Sequence, residues 1–419
     1  MKSFFRNLSI GYFLAYRDVK KANIWTTALI VTVMVLTFLN LIVVSGILVG
    51  LIEGAVVANR DRYSSDVFIS TPLKKNYIEN TGEIVDFVKT YPGVVGYSAR
   101  YSESGKIETN YKNRTRLTDE PDQAGASVAG IDPIAENNLT NISKYIIEGE
   151  FLSPEDTDSI VIGANLLYKY TPIEAPGFQT LKDVEVGSKV RLVLSGNTRE
   201  VTVKGIIKAK ADSIDQRVFM VDTYMKKLIG RNDFNVDEIS IKLDPSITTA
   251  GQIKQALIEQ GFDQYAKVQT WEDAQPKFLK DIQTTFALLG NMIGTIGLAV
   301  ACITIFIIIF VNAITRRRFI GILKGIGINS QAIEISYVIQ SLFYALSGIL
   351  IGAIIVFAFL KPYIGAHPVN FPFSDGILVA TVSGTMIRAI ILLIATLIAG
   401  YIPARIVVKQ NTLDAILGR

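Results

Sequence analysis

A single cysteine, Cys302, and a single histidine, His367, occur in 419 residues. That scarcity excludes a disulfide within the chain, removes the Cys/His ligand sets of structural zinc, and leaves no thiol–imidazole pair for covalent catalysis. Cys302 lies inside an apolar run and reads as a small packing residue. His367, beside Pro368, reads as a surface turn residue. No G-x-x-x-x-G-K-[ST] phosphate loop is present: the nearest stretch, SGKIE at 104–108, lacks both the first glycine and the hydroxyl residue after lysine. The acidic pairs Glu155/Asp156 and Glu272/Asp273 are adjacent in sequence, have no base near them, and read as solvated turns. No catalytic residue and no metal site is therefore assigned. Excess charge is also small: 42 Lys and Arg against 38 Asp and Glu leave +4, which gives nucleic-acid binding no compositional support.

What the chain does have is apolar sequence, 49% of residues, gathered into long runs. Four of them reach the length of about twenty residues that crosses a hydrocarbon core of about 30 Å. They predict transmembrane helices at 25–52, 284–313, 333–360 and 377–402. The first is too long for a signal-peptide core, has no clear cleavage site before Glu53, and reads as a retained anchor. Basic residues fall in three segments: Lys2, Arg6, Arg17, Lys20 and Lys21 in an amphipathic stretch at 1–24; Arg316, Arg317, Arg318 and Lys324 in a loop at 314–332; and Arg405, Lys409 and Arg419 in a tail at 403–419. The positive-inside rule makes these cytoplasmic, both termini included. The short loop at 361–376 and the whole of 53–283 then lie outside a cell (cytoplasmic) membrane.

The outside segment is long enough for one or two ordinary domains. Strand-like runs such as SKVRLVLS, REVTVKGII, RVFMVD and DEISIKL alternate with helical ones, TGEIVDFVKTY and TAGQIKQALIEQG, the last closed by a glycine. The fold class expected is an α-helical membrane protein of four spans with a large α+β extracytoplasmic domain inserted between helices 1 and 2. Asn113, Asn138 and Asn141 fit glycosylation sequons on that face, a weak signal by itself. Phe278, Ile282 and Phe286 recur at i, i+4, i+8, so the second span is expected to continue outward as a stalk.

In RRRFIGILKGIGINS, residues 316–330, Phe319, Ile322, Leu323 and Ile326 make one apolar stripe on a helix. Such a short helix either lies among lipid headgroups or docks into a groove on a cytoplasmic partner. Gly46/Gly50/Gly54, Gly290/Gly294 and Gly348/Gly352 repeat a four-residue spacing that allows close helix packing, within one subunit or at a dimer seam. Arg388 falls well inside the fourth span, where a charge costs at least about 2.5–3.5 kcal/mol. It either snorkels to the outer headgroups or faces the bundle, where Asn40 of the first span lies at comparable depth.

RRRFIGILKGIGINSQAI resembles the stretch after the second span in the ABC permeases of the macrolide-exporter, lipoprotein-releasing and FtsX-like superfamily, with Phe319 where an acidic residue is usual. GYIPARIVVKQNTLDAILGR is similar to that superfamily's C-terminal G-x-x-P-A-R motif, carried here by Pro403, Ala404 and Arg405, with Thr412 in place of a later proline. VAGIDP at 128–133 and VQTWEDA at 268–274 are closest to the lipoprotein-releasing branch. The resemblance implies a type VII ABC permease-like architecture in which the loop after the second span seats on a separate ATPase. Carried over by position, Arg318, Gly321, Ile322, Leu323, Lys324, Ile326 and Gly327 make that contact. ATP and magnesium then belong to the partner, a cytoplasmic ATPase dimer, and this chain carries no cofactor. A second permease copy or paralogue, membrane lipid, and a lipoprotein or extracellular protein complete the expected partners. The function implied is export or extraction of a lipophilic or peptide substrate. The alternative is an FtsX-like transmission protein that switches an extracellular hydrolase. A receptor-like anchor with no ATPase is disfavoured by the loop motif.

Overall fold

A computed structural model describes residues 2–112, 122–172, 179–371 and 374–409. The sequon at Asn113 and the end of the C-terminal motif, with Thr412 and Arg419, lie outside them. The chain divides into two compact units. One holds residues up to Glu53, Asp281–Val369 and those from Gly376 onward; the other holds Gly54–Lys280 and Asn370–Asp375.

The first unit is helical. An amphipathic helix, Lys2–Lys21, precedes the spans. Among the described residues four helices are long and apolar enough to cross a membrane: Ile24–Ser64, Lys277–Thr315, Ser330–Ala366 and Val382–Val408. Three outlast their apolar runs. The first continues to Ser64 because nothing between Gly54 and Ser64 breaks a helix; it loosens into π turns at Asn40–Val44 and Arg60–Ser64. The second takes in the expected stalk and, at 39 residues, is about 58 Å long. The fourth begins at Val382, not 377. Residues 377–381 are apolar yet not helical, and the Thr381 hydroxyl accepts from the Gly384 N–H to start the helix. The core of this unit runs through Met34, Phe38 and Ile42, Ile305 and Ile309, Tyr337 and Tyr344, and Leu392.

The second unit is an α+β domain. Its described strands are β1 (Val67–Ser70), β2 (Val94–Glu108), β3 (Gln123–Ile131), β4 (Ile146–Gly149), β5 (Ser159–Gly163), β6 (Lys189–Leu194), β7 (Asn197–Ile207), β8 (Arg217–Val221), β9 (Glu238–Leu243) and β10 (Lys267–Thr270). They form one mixed sheet in the order β10-β1-β9-β2-β3-β8-β5-β7-β4, with β6 bridging β2 and β7. Only β3–β8 and β5–β7 among the described pairs are parallel. Alternation sets the faces: in β6, Val190, Leu192 and Leu194 are buried while their neighbours are not. Helix Ala250–Glu259 starts at a capping box of Thr249 and Gln252 and is followed by Gly261 at φ +80°.

Glu155, Glu272 and Asp273 lie exposed in turns, as expected, while Asp156 is half-buried. Asp156 pairs with Lys204 at 2.7 Å, and Asp273 with Lys254 at 2.7 Å. His367 is exposed and stacks on Tyr363.

Candidate coupling surface

The stalk helix ends at Thr315, and Arg316 leaves helical geometry before a separate short helix, Arg317–Gly325, begins. Its end is a Schellman turn. The Ile328 N–H donates to the Leu323 carbonyl and the Gly327 N–H to that of Lys324, with Gly327 at φ +91°. Gly327 therefore has a backbone role, where the family resemblance implied a partner contact. Gly327→Ala is expected to cost about 1 kcal/mol, read as a lower melting temperature in detergent. Gly325→Ala, with open space around its Cα, should cost nothing.

The inward face of this helix is Ile320, 3% exposed, and Gly321, with Leu323 partly buried against the core of the spans. The outward apolar face is Phe319 and Ile322, each 49% exposed, and Ile326, 71% exposed. This corrects the expected stripe: Leu323 packs inward, and Ile320, absent from the stripe, is the anchor. With Phe319, Ile320, Ile322 and Leu323 crowded into five positions, the apolar pattern alone could not show which side turned in.

Arg316 and Lys324 tie the helix to its neighbours. Arg316 pairs with Asp18 of the N-terminal helix at 2.6 Å, and Gln340 of the third span also donates to Asp18, at 3.3 Å. The Lys324 ammonium donates to the Val408 carbonyl at 3.0 Å, at the C-terminal end of the fourth span, where a cation is favoured. The N-terminal helix is in turn seated on the third span through small and polar residues one turn apart. Asn7 bonds Gln331, a Cβ at Gly11 would meet Ile335, and Ala15 is buried. Between this helix and the short one lies a groove of about 620 Å³ with Ile10, Phe13, Leu14, Phe319, Leu323 and Ile328 in its walls. Arg318 lies exposed on the short helix.

In the C-terminal motif, Pro403 and Ala404 are buried inside the fourth helix, whereas Arg405 is exposed and stacks over Tyr401. The motif glycine, Gly400, faces Ser341 of the third span so closely that a Cβ would sit 2.5 Å from its hydroxyl.

The seven spaced glycines are all covered by helices or loops of this same chain. Gly348 packs on Met34, Gly352 on Phe38, Gly290 on Ser45, Gly294 on Leu41 and Gly46 on Leu378; Gly54 packs on Asp375. Gly50 meets the Ile377 carbonyl, and the Val379 N–H donates to the Gly46 carbonyl, which holds residues 377–379 extended along the first span. Those faces are thus packed within one subunit, the first of the two expected roles. Gly50→Ala is expected to cost about 1–3 kcal/mol by overpacking, again measured by thermal unfolding in detergent.

Arg388 is half-buried and donates to the Ser45 hydroxyl of the first span at 2.8 Å. Asn40, the expected acceptor, does not meet it: its Oδ1 is buried without a partner, beside Gly297.

A second cluster, not foreseen from sequence, lies in the folded domain, where the first long helix ends. The Tyr63 ring lies between the guanidinium groups of Arg100 and Arg217, 4.9 and 4.8 Å from its centroid. Its carbonyl accepts from Arg100 and Ser240, and its hydroxyl accepts from Arg217. Arg100 forks onto Glu136 at 2.7 and 2.8 Å, and Arg217 onto Glu238 at 2.9 and 2.7 Å. Burial pushes the Glu238 carboxyl up, but Arg217 and Arg100 outweigh it and hold the group below its ordinary range. Nearby, Arg62 donates to the Ala209 carbonyl and, with Lys210, pairs with Asp375.

Four apolar helices, a short amphipathic helix between the second and third, and a folded domain between the first and second define a membrane protein with a large inserted domain. Residues 291–412 match the FtsX-like permease C-terminal domain. An uncharacterized ABC transporter permease of Methanocaldococcus jannaschii is 23% identical over 279 residues, which cover 65% of this chain and 65% of that one. Among solved structures, the periplasmic region of MacB from Actinobacillus actinomycetemcomitans matches 51% of this chain and 92% of its own, at 11% identity and a TM-score of 0.35. The extracellular domain of the ABC-type transporter YknZ from Gram-positive bacteria matches 49% of this chain and 99% of its own, at 15% identity and a TM-score of 0.30. Residues 291–412 therefore carry an FtsX-like permease C-terminal domain, and over 65% of its length the chain is similar to an ABC transporter permease. Nothing in these matches selects the lipoprotein-releasing branch.

Proposed function

We propose that this chain is the non-catalytic permease subunit of an ABC system and transmits the work of a separate cytoplasmic ATPase, which holds ATP and magnesium, to its extracytoplasmic domain. The observation that carries the reading is the exposed row Phe319, Ile322 and Ile326 on a helix whose opposite face is fixed to the spans. Apolar side chains displayed on a rigid base are what a partner's groove can grip without a large ordering cost.

Motion entering at this helix has continuous routes outward. The stalk runs unbroken from Thr315 to Lys277, and the first long helix runs from Ile24 to the Tyr63 clamp. The work would be done on a lipophilic or peptide substrate, a lipoprotein being one instance, by a pair of permease chains over a pair of ATPases.

The reading requires the short helix and the domain to lie on opposite sides of a cytoplasmic membrane, with both termini inside. Single cysteines at Thr198 and Gly325, both exposed, can be placed in a Cys302→Ala background. In intact cells an impermeant maleimide is expected to label position 198 at once and position 325 only after permeabilisation. Equal labelling of the two without permeabilisation would refute the arrangement.

A further inference from the structure

Arg388 carries a positive charge inside a span and has no carboxylate within ion-pair distance among the described residues; its one hydrogen bond is to the neutral Ser45 hydroxyl. It lies six residues, about 9 Å, from the start of the fourth helix at Val382. An unneutralised guanidinium at such depth is costly, and elsewhere such groups persist where an anion or a polar pathway meets them. The surroundings indicate which. Arg388 is half-buried, and the residues beside it on the same helix, Met386, Ile387, Ile390 and Ile391, are all strongly exposed apolar side chains. The guanidinium thus stands beside an exposed apolar face of the fourth helix, while Ser45 holds one edge of its fork and leaves other N–H groups free to donate.

We infer that Arg388, positioned by Ser45, is the binding site for the phosphate of an anionic lipid, whose acyl chains lie along Met386, Ile387 and Ile391. Guanidinium matches phosphate in charge and in paired donor geometry. The apolar residues supply the bed that a soluble anion would not need. The site depends on the spans alone, so it stands or falls separately from ATPase docking.

The test is native mass spectrometry of the full chain in mild detergent, titrated with phosphatidylglycerol, with phosphatidylcholine, and with inorganic phosphate. The wild type is expected to retain phosphatidylglycerol about tenfold more tightly than phosphatidylcholine. Arg388→Gln should abolish that preference, Arg388→Lys should keep part of it, and Ser45→Ala should weaken it several-fold with Arg388 still present. Equal retention of both lipids by the wild type, or an unchanged preference in Arg388→Gln, would overturn the inference. Arg388-dependent thermal stabilisation by millimolar phosphate without lipid would overturn the lipid assignment in favour of a soluble anion. Should Arg388→Gln not be recovered folded, the Ser45→Ala and Arg388→Lys titrations decide, and no change in either would overturn it.

Discussion

Ile322→Asp is expected to cut stimulation of the partner's ATP hydrolysis roughly thirtyfold while leaving the chain folded. Ile322 is half exposed on the outward side of the short helix, so a carboxylate there is solvated in the free protein and should shift stability by less than about 0.5 kcal/mol. Against a partner's apolar groove the same carboxylate must be desolvated, and losing an anchor of this kind costs about 2 kcal/mol or more in association. Ile320→Asp provides the contrast. At 3% exposure it places a charge in the core of the spans and should fail to give folded protein. Leu323→Asp falls between, since Leu323 also packs inward, and it would confuse lost docking with lost folding. ATPase rates of the co-purified complex, paired with melting temperatures of the free chain, separate these outcomes. An Ile322→Asp protein that stimulates at the full rate would contradict the docking assignment.

Glu136→Ala is expected to destabilise the folded domain by about 3–5 kcal/mol, because it strands Arg100 without its bidentate partner at a site both residues share in full burial. Ser98 and Thr140, which also donate to the Glu136 carboxylate, lose an acceptor at the same time. The size of the loss comes from leaving a buried guanidinium with Glu238, 3.8 Å away, as its remaining counter-charge, and not from the pair's net worth. Replacing both members with apolar residues, Arg100→Met with Glu136→Leu, should therefore recover most of it. The double variant should still be impaired in coupling, since Arg100 also holds the Tyr63 carbonyl and one face of its ring. Denaturant unfolding followed by domain fluorescence gives the first quantity. A loss under about 1 kcal/mol for Glu136→Ala would mean that the cluster is far more hydrated than its geometry implies.

The spans were legible because about twenty consecutive apolar residues admit few other readings. Their ends were not. Helix continues past the first apolar run to Ser64 because no glycine stop or proline intervenes after Gly54, whereas 377–381 is apolar but is held extended by the Val379–Gly46 hydrogen bond. The strand runs and the capping box at Thr249 were likewise local and readable. Side-chain direction was the part out of reach. Whether Ile320 or Ile322 faces the spans, and whether Arg388 meets Ser45 or Asn40, depends on the neighbouring helices and not on spacing within one. The Tyr63 clamp draws on residues from 63 to 238, and no short motif marks it.

The account rests on one surface being occupied by a nucleotide-hydrolysing partner, and a photo-crosslinking amino acid at position 322, activated in intact membranes, reads that occupancy most directly. It should capture a cytoplasmic ATP-binding chain, and the adduct should vanish when Phe319 and Ile326 are both changed to aspartate. Cross-links confined to lipid would place this helix in the headgroups and contradict the account.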